Sequence, residues 1–102
     1  MSEIIDQVTN KENKINNRIT FLDETLYGIR HKIDELCKKR SKVKEELKFI
    51  HCCYEWNRTT AYLVLSKEEE LSELNEEIIY LNEQMYTIAK IIDELYDKRK
   101  TF

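Results

Sequence analysis

Apolar residues recur along most of this chain in alternating steps of four and three. In the first half the series runs Ile15, Ile19, Leu22, Leu26, Ile29, Ile33, Leu36, Arg40, Val43, Leu47, Ile50. In the second half it runs Leu71, Leu74, Ile78, Leu81, Met85, Ile88, Ile92, Leu95, Arg99, Phe102. This spacing is the a/d repeat of a coiled coil, and it puts one narrow apolar seam along each helix. A strand alternates with period two, so neither half reads as sheet. The chain has no Pro and a single Gly, which leaves few residues suited to turns. Charged residues at 36% fit helices with a solvated back and a thin core.

Between the two series lies HCCYEWNRTTAYLVLS, residues 51–66, where charges thin out and the only Trp appears. The predicted layout is helix 1 over about 3–56, a turn over 57–65 and helix 2 over 66–101. Residues 1–14 then overhang as a frayed end or an arm. Ser66 followed by Glu69 has the pattern of a capping box. Glu68, Glu69, Glu70 and Glu73 crowd what would be the first turns, where the helix dipole favours acids. A tighter turn over 57–60 is the variant reading, because Val64 falls on the seam extrapolated backwards.

Folding back pairs the seams as Ile50 with Leu71, Arg40 with Leu81, Leu22 with Arg99 and Ile19 with Phe102. A slip of one heptad would match apolar residues equally well. An internal repeat argues for the first register. Residues 19–41, ITFLDETLYGIRHKIDELCKKRS, match residues 78–100, IIYLNEQMYTIAKIIDELYDKRK, at 11 of 23 positions. The shared Glu24/Glu83, Tyr27/Tyr86, Asp34/Asp93 and Lys39/Lys98 lie off the seam. Both seams also break at the same place, Arg40 and Arg99. These two arginines are expected to set the register, each laying its stem on the seam and sending its head to solvent or a carboxylate.

Several large side chains are left outside the seam. Phe21, Tyr27, Tyr80, Tyr86, Ile91 and Tyr96 are expected to face outward, with Phe49 and Ile79 beside them. Exposed apolar patches of that kind mark interfaces, and a second copy packing here would make a four-helix bundle. Tyr54, Trp56, Tyr62, Leu63 and Leu65 cluster in the interruption. They either fold over the end of the helices as a plug or stand exposed as a docking tip, since Trp and Tyr are favoured interface anchors.

Nothing in the sequence assembles a reaction. His51-Cys52-Cys53 cannot converge on one ion, because consecutive helical residues point about 100° apart and zinc needs four tetrahedral ligands. No nucleophile–base pair or Gly-rich loop is present, so no cofactor, metal or catalytic residue is expected. A net charge of −3 provides no general attraction for nucleic acid or an anionic membrane. The one local exception is the basic strip of Lys38, Lys39, Arg40, Lys42, Lys44 and Lys48, expected to lie against the glutamates of 73–83. No apolar run reaches the roughly 20 residues of a membrane span. Three cysteines, an odd number, read as reduced thiols in the cytoplasm or another intracellular compartment. The wealth of Ile, Lys, Asn, Glu and Tyr fits an AT-rich genome such as those of many phages, viruses and low-GC bacteria.

The expectation is an all-α antiparallel two-helix coiled-coil hairpin with an internal repeat, forming one domain and dimerising into a four-helix bundle. The structural rival is one long parallel coiled-coil dimer. The expected role is non-enzymatic: a small adaptor, scaffold or inhibitor that presents a helical face or an aromatic tip to another protein. The alternative is a nucleic-acid-associated helical protein using the strip at 38–48.

Overall fold

The computed structural model describes residues 2–100, with side chains described from residue 7 onward. Two helices, α1 (Ser2–Cys53) and α2 (Arg58–Lys100), pack against each other as a hairpin. Contacts divide the chain into two compact regions. One contains the turn and spans 31–82. The other combines the residues up to 30 with those from 83 onward, and is called here the terminal region. Residues 2–14 continue α1 as helix, and residues 7–14 are all exposed, as expected of a segment that overhangs the pairing.

The turn is shorter and earlier than expected. α1 ends at Cys53, with the Tyr54 amide donating to the Ile50 carbonyl at 3.2 Å. α2 begins at Arg58, eight residues before Ser66. The physical reason is Asn57. Its carbonyl accepts the first helical bond, from the Ala61 amide at 2.9 Å. Its side-chain Oδ1 accepts from the Thr60 amide at 2.9 Å, the bond that satisfies an orphan donor at a helix start. The Thr60 hydroxyl donates to the Glu55 carbonyl at 2.8 Å, with Asn57 Oδ1 also near it at 3.1 Å. The hydroxyl thereby ties the turn to the helix, and Thr60 is buried. Ser66 and Glu69 lie inside the helix, and the capping box expected there does not form. No described residue needs a positive φ, which explains how a turn without Gly closes the hairpin.

The two apolar series are the inner faces of the helices. Every described member from Ile15 to Ile50 and from Leu71 to Leu95 is buried or half-buried. Thr60, Val64 and Lys67 extend the inner face of α2 towards the turn. Buried in the turn-containing region are Leu36, Val43, Ile50, Val64, Ile78 and Leu81. In the terminal region Ile19, Ile92 and Leu95 form a cluster, with Ile15, Leu22, Leu26 and Ile88 packed on it. Burying such a side chain is worth roughly 1.5–3 kcal/mol. Two helices have few to bury, and among the described residues no large side chain is fully enclosed.

The pairing is shifted by one heptad from the expected register. Ile19 meets Leu95 and Ile92. Arg40 reaches Asn75, and Glu46 reaches Lys67. In the expected register Ile19 would have faced Phe102, which lies outside the described residues. Apolar matching cannot separate the two registers. The Asn57 cap does, because starting α2 at Arg58 slides it along α1.

Candidate interaction surfaces

The turn puts large side chains in solvent. Trp56 is 67% exposed, and Tyr54, Tyr62 and Leu65 are also largely exposed. Leu63 is at the edge of that class at 36%. Only Val64 of this segment's apolar residues is buried, at 5%. The plug reading therefore fails for the aromatic residues. Helix geometry is the cause: once 58–65 is helical, Thr60 and Val64 point inward with Ala61 half-buried between them, and Tyr62, Leu63 and Leu65 point out. Trp56 stacks on His51 at 6.0 Å. Arg58 sits 5.9 Å from the Tyr62 ring, within cation–π range.

Beside the tip is an open groove of about 560 Å³. Phe49, Ile50, Tyr54 and Leu63 form its apolar part, and Lys42, Glu45, Glu46 and Lys67 its charged part. Phe49 and Tyr54 meet edge to face at 5.8 Å. The Lys67 ammonium, hydrogen-bonded to Glu46, holds that carboxyl below its usual value, and the carboxylate raises Lys67 in return. Glu70 approaches the same ammonium at 3.8 Å.

Of the residues expected to face outward, Phe21, Tyr27, Tyr80 and Tyr86 are exposed, Tyr27 to 75%. Ile91 is different: it is half-buried and packs on the Ile19–Ile92–Leu95 cluster. It lies next to Ile92 at the border of the seam and widens it. Tyr96 is at the margin of exposure, with the Arg99 guanidinium 4.8 Å from its ring. Lys90 lies 5.8 Å from the Tyr86 ring.

The two arginines on the seam do not seek carboxylates. Arg40 donates to Asn75 Oδ1 at 3.2 Å and lies 3.8 Å from Cys37 Sγ. Arg99 donates to Asn16 Oδ1 at 3.1 Å. Sequence reading missed both asparagines, though a signal was present. Asn16 stands three residues before Ile19, and Asn75 stands three before Ile78, the residues at which the two matched segments begin.

The lysines at 38–48 were expected to lie against the glutamates of 73–83. Lys38, Lys39, Lys42, Lys44 and Lys48 are all exposed, and the ion pairs that form lie elsewhere, between Lys32 and Glu77 at 3.8 Å and between Lys67 and Glu46. At 3.6 residues per turn, Lys38 and Lys42 share one side of α1 while Lys44 and Lys48 share another. They do not make the single outward stripe that tracking a nucleic-acid backbone requires. Cys52 and Cys53 are exposed free thiols and Cys37 is half-buried. No helix, among the described residues, is long and apolar enough to cross a membrane. No protein family, curated protein or solved structure matches the chain.

Proposed function

We propose that this chain is a non-enzymatic protein–protein interaction module, a helical hairpin that self-associates through its outer faces. The observation that carries this reading is the exposure of Phe21, Tyr27, Tyr80 and Tyr86 on regular helices. These rings are left largely in water on rigid elements, and such rings favour association. The thin core supports the same reading, since two helices alone are marginal and a second copy supplies the missing burial. In this reading the helices pair as an antiparallel coiled coil and the assembly is a four-helix bundle. The exposed tip at Tyr54, Trp56, Tyr62, Leu63 and Leu65 is then left for a different protein partner, as expected of an adaptor, scaffold or inhibitor.

The same reading takes the chain as a duplicated helical segment. Arg40 with Asn75 and Arg99 with Asn16 support it, because each bond joins the arginine of one copy to the asparagine of the other. Heptad composition alone gives no reason for a polar pair to recur at matched positions.

The test is absolute mass by light scattering over a range of concentrations. A mass of two chains is expected. A single chain at every concentration would overturn self-association.

A further inference from the structure

The matched segments invert their charge just upstream of the region where they agree. Lys11, Lys14 and Arg18 of α1 stand where the second segment has Glu70, Glu73 and Glu77. Three cations answer three anions, while Phe21 answers Tyr80 and the aromatic character is kept. On α1, Lys14, Arg18 and Phe21 share one face by helical spacing. On α2, Glu69, Glu73, Glu76 and Tyr80 share one face in the same way.

The basic side is a built concavity. Lys11, Lys14, Ile15, Arg18, Leu95 and Lys98 line an open cleft of about 340 Å³ in the terminal region. Its apolar floor is Ile15 and Leu95, and every other lining residue is a cation. Lys11, Lys14 and Arg18 enter no ion pair among the described residues. This is a concentrated positive site on a chain whose net charge is −3. The acidic side belongs to the turn-containing region. There Glu70 and Glu77 already approach Lys67 and Lys32, each at 3.8 Å. Glu69, Glu73 and Glu76 are exposed and unpaired among the described residues.

We propose that the occupant of the cationic cleft is the acidic face of α2, at Glu69, Glu73 and Glu76, of a second copy of this chain, with the exchange made twice in a symmetric dimer. This rests on the self-association reading and deepens it by naming which faces meet. A two-fold dimer in which α1 of each copy packs on α2 of the other satisfies both exchanges at once. Packing α1 on α1 would oppose six cations, and packing α2 on α2 would oppose six carboxylates. The opposite charges of the two faces thus favour this pairing and penalise the others. Phe21 and Tyr80, each the next position on the same face after its charged set, would meet across that interface.

The test is a charge exchange read by sedimentation equilibrium, with circular dichroism as the check that each variant remains helical. K11E/K14E/R18E and E69K/E73K/E76K should each weaken the dimer at least tenfold. Mixing the two variants should restore association as a heterodimer, because both exchanges regain opposite charges. The wild-type dimer should weaken as salt is raised from 50 to 500 mM, a readout that needs no variant. A mixture no tighter than its separate components, or a dimer indifferent to salt, would overturn the assigned faces. A wild-type chain that stays monomeric would overturn the self-association reading itself, which separates the two failures.

Discussion

The turn-containing and terminal regions solve the same local problem in different surroundings. Each has a seam arginine that donates to an asparagine on the opposite helix, at 3.2 Å for Arg40 and 3.1 Å for Arg99. Arg40 is half-buried, with buried Leu36 and Val43 on either side of it along α1. Arg99 is exposed, near the end of α2, and leans on Tyr96. The bonds are alike in length, but they differ in the water available to replace them. A hydrogen bond to a charged group matters most where its loss leaves that group without solvent. The turn-containing region also has the Asn57 cap and the Glu46–Lys67 pair, while the terminal region depends on one apolar cluster. Geometry alone is therefore a poor measure of what a contact contributes, and burial around it decides.

The largest expected effects come from the seam. Leu36→Ala in one region and Leu95→Ala in the other should each lower stability by about 2–4 kcal/mol, read from urea denaturation, because both side chains are buried and neither site can collapse fully. If one of them costs under about 1 kcal/mol, that region does not share in the cooperative core. The arginine partners sharpen the contrast. Asn75→Ala should cost about 1.5 kcal/mol by leaving half-buried Arg40 without its acceptor. Asn16→Ala should cost under about 0.5 kcal/mol, since water can reach Arg99. Equal costs would mean that burial is not what separates the regions.

The turn supplies the next effect. Asn57→Ala should cost about 1 kcal/mol through loss of the N-cap, while Ser66→Ala should change stability by less than about 0.5 kcal/mol. The reverse order would return the start of α2 to Ser66. In the terminal region, a Cβ on Gly28 would meet nothing within 4 Å. Gly28→Ala should therefore stabilise by about 0.5–1 kcal/mol through helix propensity. The smallest effect is the pH dependence of Glu46 and Lys67. Glu46 has its carboxyl lowered below 4.5, so its contribution is present above that value and fades as pH falls through the lower folded value. Lys67 is raised above 10.5, so its contribution is present below that value and fades as pH rises through the higher folded value. Thermal melts at pH 3, 7 and 11 should show Glu46→Gln losing stability relative to the parent at pH 7 and converging with it at pH 3.

Much of this was legible in the sequence. The four-three spacing fixed which side chains turn inward, from Ile15 to Leu95, because a helix makes one seam the only continuous apolar face. The same spacing left Phe21, Tyr27, Tyr80 and Tyr86 outside. Turn position and register were not legible, for a related reason. Asn57 with Thr60 and Ser66 with Glu69 both offer a helix start, and a cap is worth only about 1 kcal/mol in either place. A slip of one heptad leaves every apolar match intact, so a single polar side chain can decide it. The tip stayed open between plug and docking surface for the same reason: with 57–65 as turn, nothing requires Tyr62 and Leu65 to point away from the core. The cationic cleft was missed because Lys11, Lys14 and Arg18 are scattered in sequence and gather only through helical spacing and the proximity of Leu95 and Lys98.

The measurement that tests the hairpin and its register most directly is a set of methyl NOEs from Ile19. It should be recorded on methyl-labelled protein diluted into an excess of unlabelled chain, so that only contacts within one chain survive. The account predicts strong NOEs from Ile19 to Ile92 and Leu95 that persist on dilution. Their absence at every dilution, as in a long parallel dimer, or their disappearance on dilution, as when the helices meet only between chains, would contradict the fold from which every surface described above is derived.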